Sequence, residues 1–543
     1  MVEKTRRSIL FPGFMGGLGW LVHKDGDTGY AVTSNCITRL GGMLNGLKEV
    51  ADPTGIAAGY RVIKQIKHND VNVRITWNGT DSKVERIETG VWIEKDTVNN
   101  ARCWDTISVH DGTNSILAVA YGANAAFRYS TDDGTSWTSS TFAGTSDNPK
   151  FFLDQMNNLS ARRVLWCVDP NGLYFATSLV NGTTVSTSST VGDASAQDYF
   201  TSLEQDTVGT VFLGKRHLLY SYANGPSVIV AGPYNDPIAE AGGQSDRYNF
   251  ENPQVMSNGW IVYPVEGKDL IAIGAQGAQK LIELAPRWQA RKNDWTCPRL
   301  ELPINCIQKI GDVLVVALGD SDATSAYSVV SKPGGTNLLQ NSFVNTSEIY
   351  VGVPTGDDLI WYGSELTCSK LLRGMAYDED DGYLYMFSGA SESASLQAVR
   401  AYFLLSAPDV TLVASNLQLN VTDVAILETA IIGGETPFDK ELWESLKLNT
   451  LMLASTVPSL RVDVRLLPES NTSVGYTTLE TYYDSQRALN GTGIPRWMSG
   501  TMGRIQFRLT ADSASTPDRF GRLTSAELIV GQYAQRRLSV GVL

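Results

Sequence analysis

The chain has 543 residues, 43% hydrophobic and 19% charged, a balance too apolar for disorder in a chain too long for a single core. Its 50 Gly and 20 Pro are scattered without a three-residue period, which excludes a collagen-like rod. Forty-four basic residues against 57 acidic ones give a net charge of −13, the wrong sign for a protein whose main partner is a nucleic acid.

The first segment, 1–109, opens with a charged lead to Arg7 and an apolar stretch that Pro12 and Gly13 interrupt, a poor export signal. Glycine-rich loops at 16–20 and 41–46 precede strand-like runs at 60–66, 71–77 and 91–93. The segment is expected to join the body that follows, as one more four-stranded unit or as a strand that closes a ring and so removes an open edge.

From 110 to 405 a unit recurs: an apolar strand, a turn, then a strand ending in an aromatic or small residue. The pairs are 116–121 with 125–131, 164–168 with 173–178, 210–213 with 217–222, 260–265 with 270–274, 313–318 with 326–330, and 375–377 with 383–387. A recurrence of roughly 40–60 residues predicts a β-propeller of about six blades. At the end of the first pair, Ser130-Thr-Asp132-Asp-Gly134-Thr-Ser136-Trp137 resembles the Asp-box of sialidase-type propellers. That resemblance implies a structural hairpin: Asp132 caps the turn, Gly134 takes positive φ, and Trp137 packs between blades.

The segment 406–543 starts at Ser406-Ala-Pro-Asp409 and changes style. Strands are expected near 410–413, 417–421, 425–432, 460–466, 475–483, 503–510 and 524–530. Arg461-Val-Asp-Val-Arg-Leu466 and Ile505-Gln-Phe-Arg-Leu509 alternate strictly, as half-buried antiparallel strands do. The fold class is therefore all-β, a propeller followed by a C-terminal antiparallel β-sandwich. The piece 438–443 reads equally as a helical turn or a strand.

Chemistry-bearing motifs are scarce. Six Cys and four His show no zinc-finger spacing and read as buried thiols in a reducing compartment. Asn78-Gly-Thr, Asn181-Gly-Thr and Asn490-Gly-Thr read as hairpin turns rather than glycan sites. The acidic clusters Asp25-Gly-Asp27 and Asp378-Glu-Asp-Asp381 lack the EF-hand Glu and read as turn tips. No nucleophile elbow, zinc-protease helix or phosphate loop is present, and the expectation is no catalytic residue, metal or cofactor. A sialidase reading falters because Tyr60-Arg61-Val-Ile63 lacks that family's proline and one Asp-box stands where several are usual. Arg287, Trp288, Arg291 and Trp295 interleave cations with aromatics, the composition of an interface anchor.

Blade strings such as Asn258-Gly-Trp-Ile-Val-Tyr263, the closing strands 460–466 and 504–509, and Thr516-Pro517 together resemble tail structural proteins of tailed bacteriophages, of the propeller-containing nozzle or hub type. The resemblance implies a virion component assembled in the bacterial host cytoplasm. It would form a homo-oligomeric ring, dock adaptor and fibre proteins, and surround the channel through which genomic DNA leaves. The rival readings are a tail fibre or receptor-binding protein and a carbohydrate-active propeller hydrolase.

Overall fold

The computed structural model describes residues 5–11, 30–41, 43–46, 48–52, 56–57, 59–110, 113–121, 126–141, 150–154, 163–168, 172–176, 179, 186–192, 200–222, 226–235, 249–267, 269–274, 278–282, 304–320, 346–356, 358–368, 370–388, 398–405, 424–429, 441–452, 459–467, 477–483, 504–512 and 521–532. Among them the regular elements are all strands.

Short hairpins set the pattern. In residues 61–98, His68 and Val71 are joined by Asn69-Asp70, both at positive φ, and Glu88 and Val91 by Thr89-Gly90, again both positive. Such two-residue turns match the right-handed twist of the strands that they join. The Asn78-Gly79 turn is closed by Asn78, whose Oδ1 accepts from the amides of Thr80 (2.8 Å) and Asp81 (2.6 Å). Each chain of hairpins makes a four-stranded antiparallel meander.

Seven such sheets occur among the described residues. We number them as blades: blade 1 (61–98), blade 2 (103–141), blade 3 (150–190), blade 4 (200–231), blade 5 (254–282), blade 6 (304–368) and blade 7 (372–402). Their first strands touch in sequence: Arg61–His68 meets Cys103–His110, which meets Lys150–Asp154, which meets Phe200–Gln205. On the far side Gln254–Val255 meets Ile304–Ile310, that strand meets Leu372–Asp378, and Leu372–Asp378 returns to Arg61–His68. Phe212 and Leu219 of blade 4 share a core with Ile261 and Tyr263 of blade 5, which completes the ring. The fold is a β-propeller.

This packing explains why the repeat is clearer in pattern than in alternation. The second strand of a blade is covered on both faces by its neighbours. Ile116 to Tyr121 are all buried, as are Leu314 to Leu318. A strand buried on both sides reads as a continuous apolar run rather than as an alternating one.

The last blade is completed from the other end of the chain. Val50–Ala51 pairs with Ala398–Tyr402 as its fourth strand, with Ala51 opposite Val399. The adjoining Asp52 then reaches into blade 1. Arg74 donates from Nη1 to Asp52 Oδ2 (2.7 Å) and from Nε to Glu85 Oε2 (2.6 Å). Trp92 Nε1 donates to the other Asp52 oxygen (3.0 Å), and its ring lies 4.2 Å from the Arg74 guanidinium carbon. Asp52 and Arg74 side chains are fully buried. A closing strand of only two residues is thus locked by a buried ion triad whose members each have hydrogen-bond partners.

The segment 1–109 therefore does both things expected of it, supplying a blade and a closing strand, and it also does a third. Its other strands pair with the C-terminal ones. Gly521–Gln532 is held on one side by Glu441–Met452 and on the other by Thr5–Phe11 and Met43–Asn45, with Cys36–Ile37 beyond. A second five-stranded sheet runs Tyr30–Ser34, Val424–Thr429, Arg504–Asp512, Ser459–Leu467, Thr477–Tyr483. In that sheet the four C-terminal strands pair contiguously and Tyr30–Ser34 adds at one edge, so each end sheet combines strands from both ends of the chain. The ambiguous piece at 438–443 runs into Glu441–Met452, a strand. The strands expected at 410–413 and 417–421 lie outside the described residues.

Two pairings read from the recurrence need correction. The partner of Val313–Asp320 is Thr346–Thr355, and 326–330 lies outside the described residues. In the last unit the paired runs are the first and second strands of the blade, whereas in the earlier units they are the second and third.

Residues 35–46 attach the two end sheets to the propeller. Arg39 donates to both Glu365 oxygens (2.8 and 3.2 Å) and to the Leu404 carbonyl, beneath the Phe403 ring. Burial pushes the Glu365 carboxyl up, and the Arg39 charge opposes that rise. Gly46 packs so closely that a Cβ there would stand 2.0 Å from the Glu365 carbonyl oxygen.

Candidate functional site

A concavity lies between blades 5 and 6. In blade 5 a tight turn, Met256 to Trp260, is closed by the Met256 amide on the Trp260 carbonyl (2.8 Å) and the Gly259 amide on the Met256 carbonyl (3.0 Å). The Trp260 amide donates to Asn258 Oδ1 (3.2 Å). The Trp260 ring then lies over Gly274, where an added Cβ would stand 3.3 Å from it. Blade 6 repeats the device. Trp361 sits opposite Gly352 in the ladder, and a Cβ on Gly352 would stand 3.0 Å from the indole. Both tryptophans are seated because the facing residue has no side chain.

Between them opens a cleft of about 380 Å³. Its floor is Met256, Val262, Ala272 and Trp361, its walls Leu281, Ile282, Pro354 and Leu359, and its mouth Asn258 and Asp358. Lys280 pairs with Asp358 across the mouth, joining the outer strands of the two blades. Beneath, the blade faces share one apolar core that includes Leu270, Ile304, Leu314, Val316 and Tyr350. Leu281 is 52% exposed while Trp361 is only 4% exposed, and the Trp361 indole nitrogen has no hydrogen-bond partner. Among the described residues the lining carries one carboxylate, Asp358, and no His, and its exposed surface mixes polar and apolar groups in comparable measure.

Near this core Glu348 is buried and accepts from Tyr350 Oη (2.8 Å). Burial pushes its carboxyl up to about 7. Glu204, on the first strand of blade 4, is also driven up by burial to about 7. The two groups sit in different blades, Glu204 on Phe200–Gln205 and Glu348 on Thr346–Thr355.

The Asp-box residues form one closed turn. Ser130 Oγ donates to Asp132 Oδ1 (2.7 Å) and accepts from the Gly134 amide (2.7 Å). Asp132 accepts from the Ser136 amide (2.8 Å) and hydroxyl (2.5 Å), which holds its carboxyl down at about 2. Gly134 has φ +88°, and Trp137 Nε1 donates to its carbonyl (3.1 Å). Trp137 is half-buried, against a core shared by blades 1 and 2. The motif lies far in sequence from the cleft and contributes no group to it.

Arg287, Trp288, Arg291 and Trp295 lie outside the described residues. Interleaving of the same kind does occur elsewhere. The Arg61 guanidinium carbon lies 5.0 Å from the Trp77 ring centre, and that of Arg102 lies 4.6 Å from Trp77 and 3.9 Å from Trp104. This ladder joins blades 1 and 2 and was invisible in sequence because its members are up to four strands apart. Trp260 was visible in a blade string, but its pairing with Gly274 was not. Trp361 gave no signal, since its seat, Gly352, lies across a hairpin. The acidic run Asp378–Asp381 is a turn tip, with the Gly382 amide on the Asp378 carbonyl (2.9 Å) and Lys67 bound to Asp378 (2.7 Å) and Asp380. Cys36, Cys103, Cys306 and Cys368 are buried free thiols, and burial pushes Cys103 up to about 12.

The sequence matches no protein-family profile and no curated protein. Similar solved structures include YCF48 bound to D1 peptide, at 11% identity and TM-score 0.41, covering 67% of this chain and 98% of that one. YCF48 from Cyanidioschyzon merolae gives 10% identity and TM-score 0.40, covering 65% and 98%. The Dos1 propeller gives 9% identity and TM-score 0.39, covering 68% and 92%.

Proposed function

We propose that this chain is a non-catalytic structural subunit of a larger assembly, a phage virion tail component of nozzle or hub type. In this reading it forms a homo-oligomeric ring around the DNA channel and docks other tail proteins. The observation that supports the reading best is the tryptophan-floored cleft between blades 5 and 6, which offers a partner side chain a pocket and in which, among the described lining residues, Asp358 is the one ionisable group. The end sheets, built from both ends of the chain and read as a sandwich, supply a second surface, tied to the propeller through Arg39 and Glu365. A net charge of −13 disfavours tight binding of DNA, which suits a conduit.

The test has two arms. Mass spectrometry and electron microscopy of purified particles should find several copies of the chain at the tail, and sizing should find an oligomer. A chain missing from particles, or present as one copy, sinks the virion reading. Hydrolysis of a glycan by the purified chain, lost on changing Asp358 or Glu348 to the amide, sinks the non-catalytic reading.

A further inference from the structure

Outer strands are where a propeller meets solvent, and six of the seven here are blunted. Val91–Val98 carries Glu94, Lys95 and Asp96; Gln279–Ile282 carries Lys280; Asp358–Cys368 carries Asp358 and Glu365. Thr138–Thr141 and Ser186–Thr190 are wholly hydroxylated, and Val50–Ala51 is two residues long. Charge, polarity and shortness all discourage pairing with another chain.

Blade 4 breaks this rule. Its outer strand, Val228–Ala231, is Val-Ile-Val-Ala, with no polar side chain. Val228 is 58% and Ile229 54% exposed. Neighbouring residues of a strand point to opposite faces, so both faces of the strand stand clear of adjacent blades at this point. Its ladder runs to Leu219–Tyr222, with a bulge at Val230 that leaves Val228 and Ile229 in regular register, and among the described residues no strand pairs with its outer side.

We propose that this edge is a strand-addition site, which takes an uncharged, extended peptide segment of a partner protein as a fifth strand of blade 4. Main-chain hydrogen bonds would supply affinity, and contact of alternate side chains with Val228 and Ile229 would supply selectivity. Charge complementarity argues for this occupant, because an apolar strand with no charge beside it penalises a charged segment for desolvation without return. Size argues against a second copy of the chain as occupant. Four paired residues bury on the order of a few hundred Å², short of the ~1,200 Å² of a stable protein interface. The inference stands apart from the virion reading, since it needs only the edge.

The experiment uses the full chain and a fluorescein-labelled peptide of alternating Thr and Val, six residues long, with a second peptide N-methylated at alternate amides. Fluorescence anisotropy should show saturable binding of the first peptide and at least tenfold weaker binding of the second. Amide hydrogen exchange in 228–231 should slow several-fold when the first peptide is bound. Ile229→Lys, at an exposed position, should weaken binding at least tenfold, while Val208→Lys, in an exposed turn of the same blade, should leave it unchanged. Absence of binding, equal binding by both peptides, or unchanged binding to the Ile229→Lys variant would overturn the proposal. So would concentration-dependent self-association that Ile229→Lys abolishes, which would assign the edge to a second copy.

Discussion

Blades 7, 1 and 2 add buried and half-buried ion pairs to the apolar cores that they share, whereas blades 5 and 6 meet mainly through an apolar core. At the first junction Arg74 binds Asp52 and Glu85, Lys64 binds Asp105 (2.6 Å), Lys67 binds Asp378, and His68 Nδ1 meets Ser108 Oγ (2.9 Å). At the second, one continuous apolar core spans the blades and only Lys280–Asp358 crosses the rim. Chain connectivity accounts for only part of the difference: blades 1 and 2 follow one another in the chain as blades 5 and 6 do, and still share Lys64–Asp105. The closure at blades 7 and 1 joins parts of the chain more than 300 residues apart in sequence. Apolar contact alone tolerates slippage there, and paired, hydrogen-bonded charges specify one register.

Arg74→Ala should have the largest effect, because it leaves two carboxylates buried without their cation. A loss of about 3–5 kcal/mol is expected, read from denaturant unfolding followed by tryptophan fluorescence. A loss below about 1 kcal/mol would mean that the closure does not depend on the triad. At the apolar junction, Leu314→Ala removes a fully buried side chain and should cost about 2–4 kcal/mol. Its effect should not change between low and high salt, whereas that of Arg74→Ala is free to do so.

The buried Glu348 gives a pH test of the same junction. Its folded value is raised to about 7 from the ordinary 4.5 by burial. The folded state therefore favours the protonated acid. Stability from this group is fully present below pH 4.5 and is lost as pH rises towards 7. Glu348→Gln should unfold at higher denaturant than the parent at pH 8 and should match it near pH 4.5. Equal behaviour at both pH values would show that the carboxyl is not held in an apolar setting.

Asp132 has the opposite sign. It is held at about 2, so its contribution is present above the unfolded value near 3.8 and fades as pH falls through 2. Asp132→Ala should cost only about 1 kcal/mol, because the turn is solvent-exposed. Smallest of all, Lys280→Ala should change stability by less than about 1 kcal/mol, as rim pairs do. A larger loss would make the apolar junction depend on charge after all.

Most of the propeller was legible in the sequence, because strands covered on both faces spell themselves as apolar runs such as Leu314 to Leu318. What was not legible is long-range. Nothing near Val50 or Asp52 announces Arg400 or Arg74 as neighbours. Nothing in Thr5–Phe11 names Gly521–Gln532. The cleft was hidden for the same reason, since Trp361 acquires its seat only when Gly352 faces it across a hairpin. The Asp-box was legible because the bonds among Ser130, Asp132, Gly134, Ser136 and Trp137 close within eight residues.

The pairing of Thr5–Phe11 with Gly521–Gln532 also has a temporal side. On a ribosome that adds about 5–20 residues each second, the first strand emerges roughly half a minute or more before its partner exists. All seven blades can form in that interval, and the end sheets must be the last part of the molecule to mature. Throughout it, an unpaired strand waits beside a nearly finished protein. Any helper that shields nascent chains would act on this strand, and a chain cut short anywhere before 521 would leave it exposed for good.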